Sequence, residues 1–110
     1  MRRALRYSEI EIMRRLAAGT RCENVIMSAL EKYKVEDMDD GGMGSVKREG
    51  VEESRERPYE MISSTEAVDV DGTPVFLSLF VDDHCHLAEL DVWKGDFSPV
   101  IGPIKLKGDV

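Results

Sequence analysis

The sequence predicts an α+β domain in which an amino-terminal helix pair packs on an antiparallel sheet of about four or five strands. Two observations predict this class: apolar residues recur at helical spacing early in the chain and alternate along extended runs later. The 110 residues suffice for one hydrophobic core. We therefore predict a single domain over residues 1–110, with the helix pair at 8–33, the sheet at 34–99 and a tail at 100–110.

The helix pair is predicted by two capping boxes, each followed by an apolar stripe. Ser8 and Glu11 form the first box, and the helix that follows is expected to end at Gly19. Thr20 and Glu23 form the second box, so the two helices must fold back on each other. The second stripe contains Cys22, Val25, Ile26, Ala29, Leu30 and Tyr33.

The sheet is predicted by turn signals between extended runs. Asp40-Gly41-Gly42 separates two short runs and favours a hairpin, because these residues tolerate positive φ. This segment lacks the spacing of a phosphate loop or a calcium loop. From Tyr59 onward, three runs separated by Asp71-Gly72 and Asp83-His84 predict a β-meander.

Two further segments are predicted to lie outside the regular elements. Glu49–Pro58 is charged and nearly devoid of apolar residues, which is typical of a surface loop. In the tail, Val100, Ile101 and Ile104 are expected to pack against the body without forming an interior strand.

A two-residue turn at Asp83-His84 would place Val81 opposite His86 and would sort the last hairpin into two faces. One face is apolar and contains Val75, Leu77, Leu79, Val81, Ala88, Leu90 and Val92. The other face is aromatic and acidic and contains Phe76, Ser78, Phe80, Asp82, Cys85, Leu87, Glu89 and Asp91, with Trp93 beyond. If the helices cover the apolar face, the aromatic and acidic face suits protein binding. Alternatively, the tail or the Glu49–Pro58 loop covers it and makes a two-sided core.

The segment His84-Cys85-His86 holds both histidines and one of the two cysteines. In the predicted hairpin these side chains point in different directions, whereas a zinc site needs three or four converging ligands. A Cys-His dyad fails for the same reason. We therefore predict no metal, no cofactor and no enzyme activity. Cys22 belongs to the apolar stripe and no CxxC motif is present, so both thiols are predicted to be reduced, in the cytoplasm.

The net charge of −7 argues against general binding of nucleic acids and suits a basic protein partner. Residues 1–21 carry six arginines and two glutamates, a net of +4, which leaves −11 for residues 22–110. No apolar run approaches the length of a membrane span and no secretory signal is recognisable, so no membrane association is expected.

Three segments resemble a family of small uncharacterised bacterial proteins. They are DGGMGS (40–45), DVDGTPVFLSL (69–79) and AELDVWKGDFSP (88–99). The family shares a Gly-Gly-Met-Gly turn and a carboxy-terminal Glu-Leu-Asp-x-Trp-Lys-x-Asp-Phe-Ser motif, and the resemblance implies no known chemistry. The family usually has Gly or Asn near His84, so the His84-Cys85-His86 segment departs from its pattern. In size and charge, the chain is also similar to immunity proteins of bacterial toxin systems, including contact-dependent growth inhibition.

The leading hypothesis is an immunity protein that binds and neutralises a cognate basic nuclease toxin. Acidic side chains would occupy the groove in which the toxin binds phosphates. The candidate contacts are Asp39, Asp40, Asp82, Glu89, Asp91, Trp93 and Asp96. One alternative is a small ligand-binding or hydrolytic domain that uses Glu89 and Asp91 near Trp93. Another is a metal sensor that uses His84, Cys85 and His86.

Overall fold

The computed structural model describes residues 2–51 and 59–107. In chain order, the described elements are β1 (Arg2–Ala4), α1 (Tyr7–Ala17), α2 (Glu23–Ala29), β2 (Lys34–Asp37), β3 (Val46–Arg48), β4 (Glu60–Val68), β5 (Pro74–Val81), β6 (Leu87–Lys94) and β7 (Lys105–Leu106). In these described ranges, neither helix is long and apolar enough to cross a membrane.

The described strands form one antiparallel sheet of seven strands, in the order β1-β2-β3-β6-β5-β4-β7. The two helices pack on it, which confirms the predicted α+β class. The predicted meander corresponds to β4, β5 and β6, and the Gly-rich turn joins the hairpin of β2 and β3. The sheet has more strands than expected because β1 and β7 contain three and two residues, too few to show alternation.

The core lies between the helices and the inward-facing residues of the sheet. Met13 and Ile26 on the helices and Leu77, Leu79 and Leu90 on the strands are almost completely buried. Burying each such side chain stabilises the fold by about 1.5–3 kcal/mol. The apolar periodicity therefore identified the inner face of the sheet correctly.

Helix α1 begins earlier than predicted, and the Ser8–Glu11 capping box is wrong. The N-cap residue is Arg6, and its N–H donates a 2.7 Å hydrogen bond to Oε1 of Glu9. The carboxylate of Glu9 also accepts two hydrogen bonds from Arg3 of β1, at 2.7 and 2.8 Å. The start of the helix is therefore fixed by strand β1, which the helical pattern did not reveal.

Helix α2 ends at Ala29, before the last residues of its predicted stripe. Thr20 and Glu23 do bond at its start, although the bonds differ from those of a capping box: Thr20 Oγ1 accepts the N–H of Cys22, and Glu23 accepts the N–H of Gly19. Tyr33 lies beyond the helix, where its hydroxyl is 3.0 Å from Nδ1 of His86. The buried stripe thus continues in space after the helix has stopped.

The hairpin between β5 and β6 has a three-residue turn, so the predicted two-residue turn is wrong. The N–H of Asp82 donates to the carbonyl of His86 at 3.0 Å, and Cys85 takes a positive φ of 67°. A bulge at Ala88 then adds a second one-residue shift, because Val81 pairs with Leu87 whereas Phe80 pairs with Glu89.

The two shifts restore the predicted faces for the rest of β6. Leu79 pairs with Leu90 and Leu77 with Val92, so the apolar set stays inside. The predicted faces fail only for Cys85 in the turn and for the residues between the turn and the bulge. Leu87 is fully buried in the core instead of lying on the aromatic and acidic face.

The tail packs largely as expected. Val100 and Ile104 lie against the core, and β7 pairs with β4 at the sheet edge. The expectation for Ile101 is wrong, because its side chain is 66% exposed while its N–H donates to Asp69. Residues 52–58 of the predicted surface loop and residues 108–110 of the tail lie outside the described residues.

Candidate protein-binding face

The sheet face turned away from the helices, called the outer face here, carries side chains in three parallel rows. The register places these rows directly from the pairing of β4 with β5 and of β5 with β6. The rows are Glu66–Phe76–Trp93, then Ser64–Ser78–Asp91, then Met61–Phe80–Glu89.

An aromatic row dominates one end of the outer face. The ring centroids of Phe76 and Trp93 are 5.3 Å apart, and those of Trp93 and Phe97 are 5.5 Å apart. These rings are 36%, 46% and 68% exposed in that order. Three adjacent exposed aromatic residues are unusual on a monomer surface and typical of a binding site.

A shallow depression runs beside the aromatic row. Its lining includes Ser64 and Ser78, with Met61 on one side and Phe76 and Trp93 on the other. The depression exists because two serines lie between rows of much larger side chains. Glu66 and Lys107 stand at its β4 end.

Three of the candidate contacts come together on the outer face. Glu89, Asp91 and Trp93 occupy alternate positions of β6, between the buried residues Leu90 and Val92. This part of the sequence prediction follows from strand alternation alone.

Two further candidates are exposed in loops. Asp39 lies between β2 and β3, and Asp96 precedes the exposed Phe97. The carboxylate of Asp96 accepts hydrogen bonds from the hydroxyl and the N–H of Ser98, and these bonds lower its pKa. Asp96 therefore stays ionised beside the aromatic row.

Asp40 has an internal role in the Gly-rich loop. Its carboxylate accepts the N–H of Met43 at 3.1 Å and the N–H of Ser45 at 2.8 Å. Burial opposes ionisation, but hydrogen bonds from Ser45, Gly44 and Met43 hold the pKa of Asp40 below its usual value. The carboxylate stabilises the loop conformation.

Asp82 likewise bonds within the chain. One oxygen accepts the N–H groups of His84 at 2.8 Å and of His86 at 3.0 Å. The other oxygen forms a 2.9 Å ion pair with Arg48. Asp82 therefore stabilises the hairpin turn and anchors it to β3.

The structure separates the three residues of the His84-Cys85-His86 segment. Cys85 forms a disulfide with Cys22, so the expectation of reduced thiols is wrong. His86 bonds to Tyr33, whereas His84 is exposed. The positive φ of Cys85 belongs to the three-residue turn that sequence reasoning missed, and 63 residues of separation hide the pairing from the sequence.

A buried ion cluster at the opposite end of β6 was also missed. The ammonium of Lys94 is fully buried and lies 2.9 Å from Asp69 and 2.7 Å from Asp71. Asp69 also accepts the N–H groups of Ile101 and Val70, at 2.8 and 2.7 Å. The N–H of Ile101 and the ammonium of Lys94 hold the pKa of Asp69 well below its usual range. The available signal was the inward position of Lys94, which follows Leu90 and Val92 in the alternation.

The Gly-rich loop packs against the same end of the molecule. The N–H of Val100 donates to the carbonyl of Gly42 at 3.2 Å, and a Cβ on Gly42 would lie 3.2 Å from Pro99. Ser45 exchanges two hydrogen bonds with the backbone of Val92. The loop, the ion cluster and the tail together are called the clamp below.

The clamp contains residues from all three segments that carry the family resemblance. Residues 2–104 match the family model described as "Domain of unknown function (DUF6984)", a range that includes those segments. No curated protein and no solved structure matches the chain significantly. The chain belongs to the DUF6984 family.

Proposed function

We propose that this protein is an immunity protein that binds a cognate basic nuclease toxin, delivered by contact-dependent inhibition, and neutralises it in the cytoplasm. The observation that carries the proposal is the exposed aromatic row of Phe76, Trp93 and Phe97 beside the acidic residues of the outer face. The outer face would be the binding surface.

The aromatic row supplies the anchors that such a surface needs. Protein interfaces concentrate their binding energy in a few aromatic and arginine residues, each of which costs about 2 kcal/mol or more when truncated. Trp93 lies in the middle of the row, with Phe76 and Phe97 on either side. It is therefore the expected centre of the interface.

The charge distribution favours a basic partner. Glu66 and Glu89 lie on the outer face and make no ion pair with another described residue. The net charge of −7 would steer a basic protein towards this chain and raise the association rate. A nuclease binds phosphates with cationic side chains, and carboxylates can compete for these same side chains.

The internal bonds of Asp40 and Asp82 refine the predicted contact set. Their carboxylates contribute to the acidic field, but each is held by hydrogen bonds within the chain. We therefore centre the proposed contacts on Trp93 and Glu89, with Asp91 included for its position between them on β6 and Asp39 and Asp96 at the periphery.

The test is binding to the nuclease domain encoded by the neighbouring toxin gene, measured by titration calorimetry at physiological salt. Trp93→Ala is expected to weaken binding by about thirty-fold or more, the equivalent of about 2 kcal/mol. Tyr7→Ala is the matched control, because Tyr7 is an exposed aromatic residue on the helix side.

Charge reversal on the same surface forms the second arm. Glu89→Lys is expected to weaken binding and reduce its salt dependence, whereas Glu31→Lys, an exposed residue just after α2, is expected to leave both unchanged. Wild-type affinity in both Trp93→Ala and Glu89→Lys, with the fold intact, would exclude the outer face as the binding surface.

A further inference from the structure

The depression on the outer face combines small polar side chains with exposed aromatic rings. Its floor consists of Ser64 and Ser78, and the rings of Phe76 and Trp93 form one side. The rings are tilted by 40° relative to each other and remain partly exposed, so another planar group can stack on them. A polar floor beside an aromatic side suits a group that is both planar and charged.

We propose that this depression, here called the slot, binds an arginine side chain of the partner protein. This inference rests on the proposed function and names the group that the outer face recognises. The guanidinium would stack on Trp93, its methylene stem would lie against Met61, and its N–H groups would reach the serine hydroxyls and the acidic edge.

Arginine fits the slot better than lysine. A guanidinium is planar and weakly hydrated, so it stacks on an aromatic ring at lower cost than a compact, strongly hydrated ammonium. It also carries five donors, which can serve serine oxygens and a carboxylate together.

Charge complementarity selects a basic partner over a second copy of this chain. Two copies that each carry a net charge of −7 would repel each other, and the central rows of the outer face contain no arginine that could fill the slot of a partner copy. Lys107 stands at the β4 end of the slot. The guanidinium is therefore expected to lie at the β6 end, over Trp93 and away from Lys107, with its stem extending towards Met61 on β4.

The chain contains a single tryptophan, so its fluorescence reports on the slot without interference. The experiment titrates the full chain with a hexa-arginine peptide and, separately, with a hexa-lysine peptide, at about 0.15 M salt to screen long-range attraction. We expect a saturable change in Trp93 fluorescence with hexa-arginine. Binding of hexa-lysine is expected to be about five- to thirty-fold weaker, the range that corresponds to a cation–π contact.

A variant that changes the shape of the slot but no charge separates stacking from general electrostatics. Ser78→Leu fills the floor and is expected to weaken binding of hexa-arginine by a similar factor. Ser28→Leu adds the same side chain at an exposed position of α2 and is expected to have no effect. Chemical shifts of backbone amides should move around Phe76, Ser78 and Trp93.

Equal affinity for the two peptides, or wild-type affinity in a folded Ser78→Leu variant, would overturn the arginine slot. Either result leaves the proposed function open to its own test, because Trp93→Ala would still weaken binding of the toxin domain. Conversely, a slot that prefers hexa-arginine in a chain that fails to bind the neighbouring toxin would support the slot and reject that toxin as the partner.

Discussion

Reduction of the disulfide between Cys22 and Cys85 is expected to remove a large part of the folding stability. The bond connects residues 63 positions apart and joins the start of α2 to the turn between β5 and β6. Restricting an unfolded chain over a loop of this length contributes about 4 kcal/mol at 25 °C by the chain-entropy treatment. Domains have total stabilities of about 5–15 kcal/mol, so the reduced protein should be marginal.

The assay is urea unfolding of the wild-type chain with and without a reductant. We expect a lower midpoint on reduction and a steeper denaturant dependence, because an uncrosslinked unfolded chain exposes more surface. The double variant Cys22→Ala/Cys85→Ala should unfold like the reduced wild type, and its urea midpoint should be the same with and without the reductant. Two reactive thiols in the native protein purified without reductant, or a midpoint unaffected by reduction, would refute the reasoning.

The clamp gives three further predictions. Gly42→Ala should destabilise the fold by about 1–2 kcal/mol more than a strain-free substitution, because Gly42 has a φ of 83°. Gly41→Ala is the control in the same urea assay, because Gly41 also has a positive φ, of 76°, but an added Cβ there would meet no neighbouring atom. The difference between the two variants therefore gives the steric contribution of the contact with Pro99. Ser45→Ala should cost about 1–3 kcal/mol of unfolding free energy, because it leaves two buried backbone groups without their partner. The pKa of Asp69 lies well below the usual aspartate value of about 3.9, so the unfolded state binds its proton first and stability should fall as the pH drops below about 4. Asp69→Asn, followed by circular dichroism across that pH range, should be less stable above pH 4 and lose this part of the acid slope.

The faces of the sheet were predictable from the sequence although the turn was not. The chain places one extra residue in the turn at Cys85 and another in the bulge at Ala88, and each would invert the faces on its own. Alternation has a period of two, so the pair of errors cancels for every residue beyond the bulge. Leu87 lies between them and was predicted on the wrong face, as was Cys85 of the turn, which is bonded to Cys22 in the core.

The remaining errors involve partners that are distant in the sequence. The start of α1 depends on Arg3, which reaches Glu9 from a three-residue strand. The disulfide and the burial of Lys94 likewise depend on segments that meet only in the folded chain. Sequence patterns relate a residue only to its near neighbours along the chain. A buried charged side chain whose partner lies on a distant loop is therefore not recognised as part of the core.

Inward-facing and outward-facing residues alternate along β6, and the two sets have different roles. Leu90, Val92 and Lys94 point inward and hold the core and the clamp, whereas Glu89, Asp91 and Trp93 alternate with them on the outer face. Changing an inward residue disturbs the clamp, while changing an outward residue alters the surface and leaves the packing intact. The inward residues can therefore stay constant while the acidic and aromatic residues of the outer face vary. We therefore expect substitutions in the clamp to impair folding and, under the proposed function, substitutions on the outer face to change partner affinity while the fold stays intact.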